Sequence, residues 1–403
     1  MQTSPFRALT HYRVLPQIAG WKALVVAFAA RAPYAMIPLG TMTSVTASTG
    51  SVAEGGLATA TVALSTAIAG PLIGKWADSS GQNYPLKTLT PINALAVLAL
   101  FGAVYWGFSG IALYAVCVGV GVTSMPIGSF TRSRWISQTS MPRELAAALS
   151  YESTADELVF VLGPALVGIA ASAAEPSAPL VLAFSLIASA GMLFAYGSPR
   201  LRAPSSAPAT TDKPGVLSVV RSVIPSVIVM AAIGTFFGAT QAATTMRSEL
   251  LGSPTSAGLV YAAMGLGSAV MAILTVAIPQ TITLPVRLVV SGTGMTLIML
   301  LATAMPSLWL TAIALTACGL FVGPSMVTAF SLTEILAPKR GIAIAMTSMQ
   351  SSVTVGVSLG SALNGAIAES YGDVPAYLFA SAVAVVVAAV GLGLVLGRPS
   401  FNR

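Results

Sequence analysis

The chain of 403 residues is 55 % apolar and only 8 % charged, with a mean hydropathy of +0.85. A soluble domain carries about a quarter charged residues, so this composition excludes a water-soluble enzyme and fits lipid as the solvent. The net charge of +7 comes from bases spread through short gaps between apolar runs, not from a basic patch interleaved with aromatics, which excludes a nucleic-acid-binding protein.

Twelve apolar runs are long enough to span about 30 Å as helix: 21–46, 54–74, 86–107, 110–131, 146–172, 178–197, 222–245, 256–278, 287–304, 308–333, 341–368 and 375–397. The first is too long for a signal-peptide core and lacks a small-x-small exit, so it is expected to stay as a span. Pro33, Pro38, Pro126, Pro164 and Pro324 fall inside runs. Membrane helices tolerate them because neighbouring groups satisfy the freed carbonyls. Cys117 and Cys318 each sit mid-run and read as small buried hydrophobes.

Loop charge gives the orientation. With the amino terminus inside, the inner gaps collect Arg7, Arg13, Lys22, Lys75, Arg143, Lys339, Arg340, Arg398 and Arg403, among others. The outer gaps hold Glu54, Glu175, Glu249, Glu369, Asp373 and a single loop base, Arg247. This bias predicts a multi-pass protein of the cell membrane with both termini cytoplasmic.

The stretch SPRLRAPSSAPATTDKPG, residues 198 to 215, is rich in Pro, Ser and Thr and carries both signs of charge. It reads as a flexible cytoplasmic linker between six spans and six. The two sets look related: residues 51–70 align with 252–271, setting Gly56-Leu57 over Gly258-Leu259, and 141–156 align with 337–352, setting Pro142 over Pro338. The expected fold is therefore an all-α membrane protein, with twelve transmembrane helices in two six-helix parallel repeats around a central cavity. The halves are 1–197 and 222–403, with a linker at 198–221.

In chain order, the first polar anomaly is Arg31. It lies about 16 Å into the first span, near the midplane, where an Arg costs roughly 2.5–3.5 kcal/mol. Tyr34 follows one turn later. Between spans two and three comes GKWADSSG, with Gly74, Asp78 and Gly81. The fourth span ends at Arg132 and Arg134, which topology alone explains, and Trp76 and Trp135 read as interfacial anchors. The fifth span opens on YESTADELVF, with Glu152, Asp156 and Glu157. At 100° per residue Asp156 lies about 40° from Glu152, while Glu157 is turned about 100° away from Asp156. The three acids thus occupy two faces, and Glu152 is the shallower. Gly163, Pro164 and Gly168 follow. In the second half, Gln241, Gln350 and Asn364 are candidates to line a cavity, or else helix–helix hydrogen bonds.

Over nearly its whole length the chain resembles the major facilitator superfamily, closest to its bacterial drug:proton antiporter branch. The local match is Gly74, Asp78 and Gly81 in the motif Gly-x-x-x-Asp-Arg-x-Gly-Arg-Arg; Ser79 stands for the first Arg and Gln82-Asn83 for the basic pair. The resemblance implies that Asp78 latches the cytoplasmic side by facing a helix end of the opposite half. Gly163-Pro164, with Gly168, is similar to the glycine-proline motif of the antiporter branch. The branch's fourth-span Arg is replaced by Ala115 ahead of Gly119-Val120-Gly121. The resemblance also implies that the first and fifth spans are neighbours, so Arg31 is expected to pair with Asp156 or Glu157.

A phosphate loop is lacking, since GPLIGKW has the wrong glycine spacing. One His, in the amino-terminal tail, and two separated Cys provide no metal site and no hydrolase base. No cofactor is expected. What fits is a secondary transporter working by alternating access, with protons carried by Asp156, Glu157 or Glu152. Arg31, Tyr34, Gln241, Gln350 and Asn364 are the candidate substrate contacts. Proton-coupled export of a small organic compound by a monomer in lipid is the leading reading. Uptake or release of a small anionic metabolite held by Arg31 is the second, and a passive lipid scramblase or membrane sensor on the same scaffold is the third.

Overall fold

A computed structural model describes residues 10–139, 141–197, 214–253, 256–279 and 281–397. Among the described residues, twelve helices are long and apolar enough to cross a membrane. They are α1 Trp21–Thr49, α2 Glu54–Ser80, α3 Asn83–Tyr105, α4 Gly110–Gln138, α5 Pro142–Ala173 and α6 Ala178–Gly197 in the first half. The second half comprises α7 Ile224–Leu250, α8 Ala257–Ala277, α9 Leu284–Thr303, α10 Leu308–Leu336, α11 Ile342–Tyr371 and α12 Asp373–Leu396. Residues 198–213 of the expected linker and the tail bases Arg7, Arg398 and Arg403 lie outside the described residues. The rest of the linker is not all coil, because Val216–Ser222 is a short helix with Val219 buried.

Local chemistry sets where helices start, stop and break. The Ser51 hydroxyl accepts the Glu54 N–H at the head of α2, and the helix stops where Gly81 turns to φ 86°. Ser307 caps α10 by accepting the N–H of Leu310. Two spans are interrupted. In α1 a helix ends at Ala29 and a second starts at Ala32, with Pro33 in its first turn and Arg31 at the junction. In α4 a helix ends at Thr123, Pro126 follows, and helix resumes from Ile127 to Gln138. The fourth span therefore runs past the expected end at residue 131 and carries Arg132, Arg134 and Trp135 inside the bundle.

An even number of crossings sets the start of α1 and the end of α12 at one end of the bundle, the terminal end. The halves are tied together on that side. The Asp78 carboxylate at the foot of α2 accepts the backbone N–H groups of Ala343 (3.0 Å) and Ile344 (2.9 Å) at the start of α11. Ser129 donates to the Met346 carbonyl at 3.0 Å, and Thr154 donates to the Ala269 carbonyl at 3.4 Å. Gly74 permits the close approach of α2 and α11, since a Cβ there would strike Thr347 and Ala343. Ahead of α1, Tyr12 donates to the Ile273 carbonyl of α8 at 2.6 Å. Burial pushes the Tyr12 hydroxyl up to about 12, so it keeps its proton across the physiological range. At mid-height the rings of Phe160 and Phe237 meet at 5.9 Å.

Candidate functional site

The break in α1 turns Arg31 toward α4 and α5, and Arg31 is only 5 % exposed. Its Nη2 donates to Glu152, and also to the Thr131 hydroxyl at 2.5 Å. The other Glu152 oxygen accepts the Trp135 indole N–H at 2.7 Å. One turn further along α5, Asp156 pairs with Arg132 at 2.6 Å and with Arg31 at 3.4 Å. Two guanidinium groups and two carboxylates thus form a neutral set inside the bundle. Burying single charges would be prohibitive, and pairing with hydrogen-bonded neighbours is what makes this arrangement tolerable.

Two expectations are corrected here. Of the two acids expected to pair with Arg31, Asp156 does and Glu157 does not; the helical turn of 100° per residue aims Glu157 at α8, where Ser268 donates to it at 2.8 Å. Glu152, four residues before Asp156 and nearer the terminal end, is 1 % exposed and also pairs with Arg31. Arg132 and Trp135 are fully buried rather than interfacial. The guanidinium of Arg132 also lies 3.7 Å from the centre of the Phe330 ring on α10. Arg134 donates to Gln82 at 2.6 Å and lies over Phe194. The signal for this network was present in the sequence: Thr131 and Trp135 stand four residues apart, one helical face, as do Glu152 and Asp156 on the facing helix.

No Lys, Arg or His nitrogen stands within 4.0 Å of Glu157 among the described residues. Glu157 is 5 % exposed and forms the floor of a cavity of 170 Å³ between α5, α7 and α8. Phe160, Phe237 and Tyr261 provide its aromatic wall, with Pro164, Gln241 and Thr245 beside them. The cavity runs from mid-height to Ala257 and Gly258, at the end of α8 away from the chain termini.

The remaining candidates are dispersed. Tyr34 packs among the apolar side chains of the first half. Gln350 is half-buried on α11. Asn364, a candidate cavity residue, is fully buried, and its amide donates to the carbonyls of Ala239 (2.6 Å) and Ala376 (3.1 Å), tying α11 to α7 and α12. Gly163 is a packing position, because a Cβ there would lie 2.7 Å from that of Ala35 on α1; nothing comes within 4 Å of a Cβ at Gly168. Arg247, expected in an outer loop, belongs to the last turn of α7. It is 3 % exposed, paired with Asp373 at 2.5 Å and set over the Tyr377 ring. Where the resemblance has bases after Asp78, Gln82 instead bonds Ser133 and accepts from Arg134. Cys117 and Cys318 are buried and free.

The fold is similar to those of solved transporters. The human organic anion transporter MFSD10 superposes with a TM-score of 0.67 at 13 % identity, over 97 % of this chain and 100 % of that one. A bacterial homologue of the iron transporter ferroportin, in an outward-facing state, gives 0.70 at 16 % identity, over 93 % and 98 %. The E. coli fucose:proton symporter FucP gives 0.66 at 12 % identity, over 97 % and 99 %. No protein-family model matches the sequence, and no curated protein sequence matches it.

Proposed function

We propose that this chain is a major facilitator superfamily transporter that exchanges protons for a small, partly apolar organic compound across the cell membrane. The observation that carries this reading is the placement of Glu157. Unlike Glu152 and Asp156 on the same helix, it has no base within 4.0 Å among the described residues, and it lines a cavity. A carboxylate that is buried, unpaired by charge and set against a cavity is suited to taking up and releasing a proton. The halves 1–197 and 222–403 rock about the linker 198–221, and the terminal end, cytoplasmic by the loop-charge bias, is shut in this state. The fold shared with three transporters supports alternating access.

Division of labour follows from charge. Glu152 and Asp156 are matched by Arg31 and Arg132, so this quartet holds α1, α4 and α5 together. Glu157 carries the proton. The charge of Arg31 is matched by Glu152 and Asp156, which disfavours a role in holding an anionic metabolite. Asp78 serves as the latch that α11 engages when the terminal end closes.

The test is reconstitution in vesicles with an imposed pH gradient and a panel of small organic compounds. Wild type should show flux that follows the gradient, and Glu157→Gln should abolish the coupling while remaining folded. Flux in the wild type that ignores the gradient would reject the reading.

A further inference from the structure

The cavity above Glu157 has a composition that selects its occupant. We infer that it binds a small organic monocation, an amine or ammonium carrying one apolar ring, with the charged head on Glu157 and the ring between Phe160, Phe237 and Tyr261. The assignment rests on the transporter reading above and names the substrate class that the same site takes.

Four observations lead to it. Among the described residues Glu157 is the only charged group lining the cavity, and a single fixed negative charge in a low-dielectric site favours one positive charge and repels anions. Its hydrogen bond to Ser268 engages Oε1, and a carboxylate has two oxygens, so the second is left to face a cationic head. Phe160, Phe237 and Tyr261 line the same space, and aromatic surroundings hold a quaternary or protonated amine by cation–π attraction. The volume of 170 Å³ lies well below the roughly 300–1,000 Å³ of drug-sized sites, which limits the occupant to one ring and a compact head. Gln241 and Thr245, further from the terminal end, provide neutral polar contacts and no second charge. The quartet around Arg31 is a separate group on another face of α5, Asp156 being turned about 100° from Glu157, and is neutral in itself, so it sets no net charge against the cation.

The inference is tested at equilibrium, without transport. Purified protein in phosphatidylcholine nanodiscs is titrated with benzyltrimethylammonium, a permanent cation of the required shape, and with phenylmethanesulfonate, its counterpart of opposite charge. Wild type should bind the cation saturably and fail to bind the sulfonate. Glu157→Gln should weaken cation binding at least tenfold, Glu157→Asp should recover part of it, and Phe237→Ala should weaken it severalfold. Gly168→Ala, on the same helix but with open space around it, should keep binding within a few-fold of wild type and shows that α5 packing is not what is being read. Equal binding of cation by Glu157→Gln and wild type overturns the inference, and so does sulfonate binding as tight as that of the cation. Gradient-driven flux of other compounds with no cation binding would sink this site assignment alone. Cation binding without gradient-coupled flux would sink the transport reading and leave the site standing.

Discussion

The guanidinium of Arg132 lies 3.7 Å from the centre of the Phe330 ring, an arginine of the first half covered by an aromatic of the second. Because Arg132 also pairs with Asp156 at 2.6 Å, the charged quartet is in physical contact with the surface on which the halves close. A cation–π contact of this kind is worth about 1 kcal/mol, or roughly a fivefold population ratio. Phe330→Leu should therefore shift the molecule toward opening at the terminal end. Spin labels at Lys75→Cys and Lys339→Cys, both exposed at that end, should show a longer-distance population growing by about that factor. An unchanged distance distribution would mean the contact plays no part in closure.

The latch gives a second case. Asp78 accepts two backbone N–H groups at the start of α11, and losing a helix-end acceptor costs roughly 1–2 kcal/mol. Asp78→Ala should lengthen the same label pair more than Asp78→Asn, which keeps one acceptor oxygen. Equal effects of the two substitutions would assign the latch to charge alone.

Stability of the quartet is open to a double-mutant cycle. Arg31→Met leaves Glu152 buried without a base, and breaking a buried pair from one side costs about 3–5 kcal/mol. Glu152→Gln alone should cost less, since Asp156 still answers Arg31. The double variant should be more stable than Arg31→Met by thermal unfolding in detergent. Additive losses would show that the two residues do not act on each other.

Exchange of one monocation for one proton moves no net charge. A membrane potential, which supplies about 2.3 kcal/mol per charge per 100 mV, should then leave the flux of benzyltrimethylammonium unaltered when imposed as a potassium diffusion potential at zero pH difference. A pH difference at zero potential should drive it. Flux that tracks potential would require a stoichiometry other than one for one.

Close packing makes a last prediction. A methyl group at Gly163 would meet Ala35 at 2.7 Å, and overpacking of this sort costs about 1–3 kcal/mol. Gly163→Ala should lower the unfolding temperature, and Gly168→Ala, with open space around it, should not. The reverse order would remove the α1–α5 contact as the reason for a glycine at 163.

Hydropathy alone was enough to place every span, because a bilayer demands about twenty apolar residues and little else. The helical turn of 100° was enough to separate Glu157 from Asp156. Partners were harder to read. Arg132 and Trp135 look like residues past the end of a span until the interruption at Ser124–Pro126 restarts the helix and carries them inward. Arg247 looks like a loop base until it is seen to reach Asp373, the Ala302 carbonyl and the Tyr377 ring, all far along the chain. Such choices are made by packing between helices, and a one-dimensional pattern holds no record of which side chain will face which. The cavity wall of Phe160, Phe237 and Tyr261 was illegible for the same reason, since apolar residues at helical spacing serve lipid, core and ligand alike.

At the closed end, the hydrogen bonds of the latch run from side chains of the first half to main chain of the second. Asp78, Ser129, Thr154 and Tyr12 engage amide and carbonyl groups of Ala343, Ile344, Met346, Ala269 and Ile273. Those receiving groups belong to every residue type, provided the helix keeps its path. Mutational drift along α8 and α11 can accordingly go far before these bonds fail, whereas the four side-chain positions have few substitutes. An asymmetric tolerance map, permissive on one lip and strict on the other, is what a saturation scan of the closed end should draw.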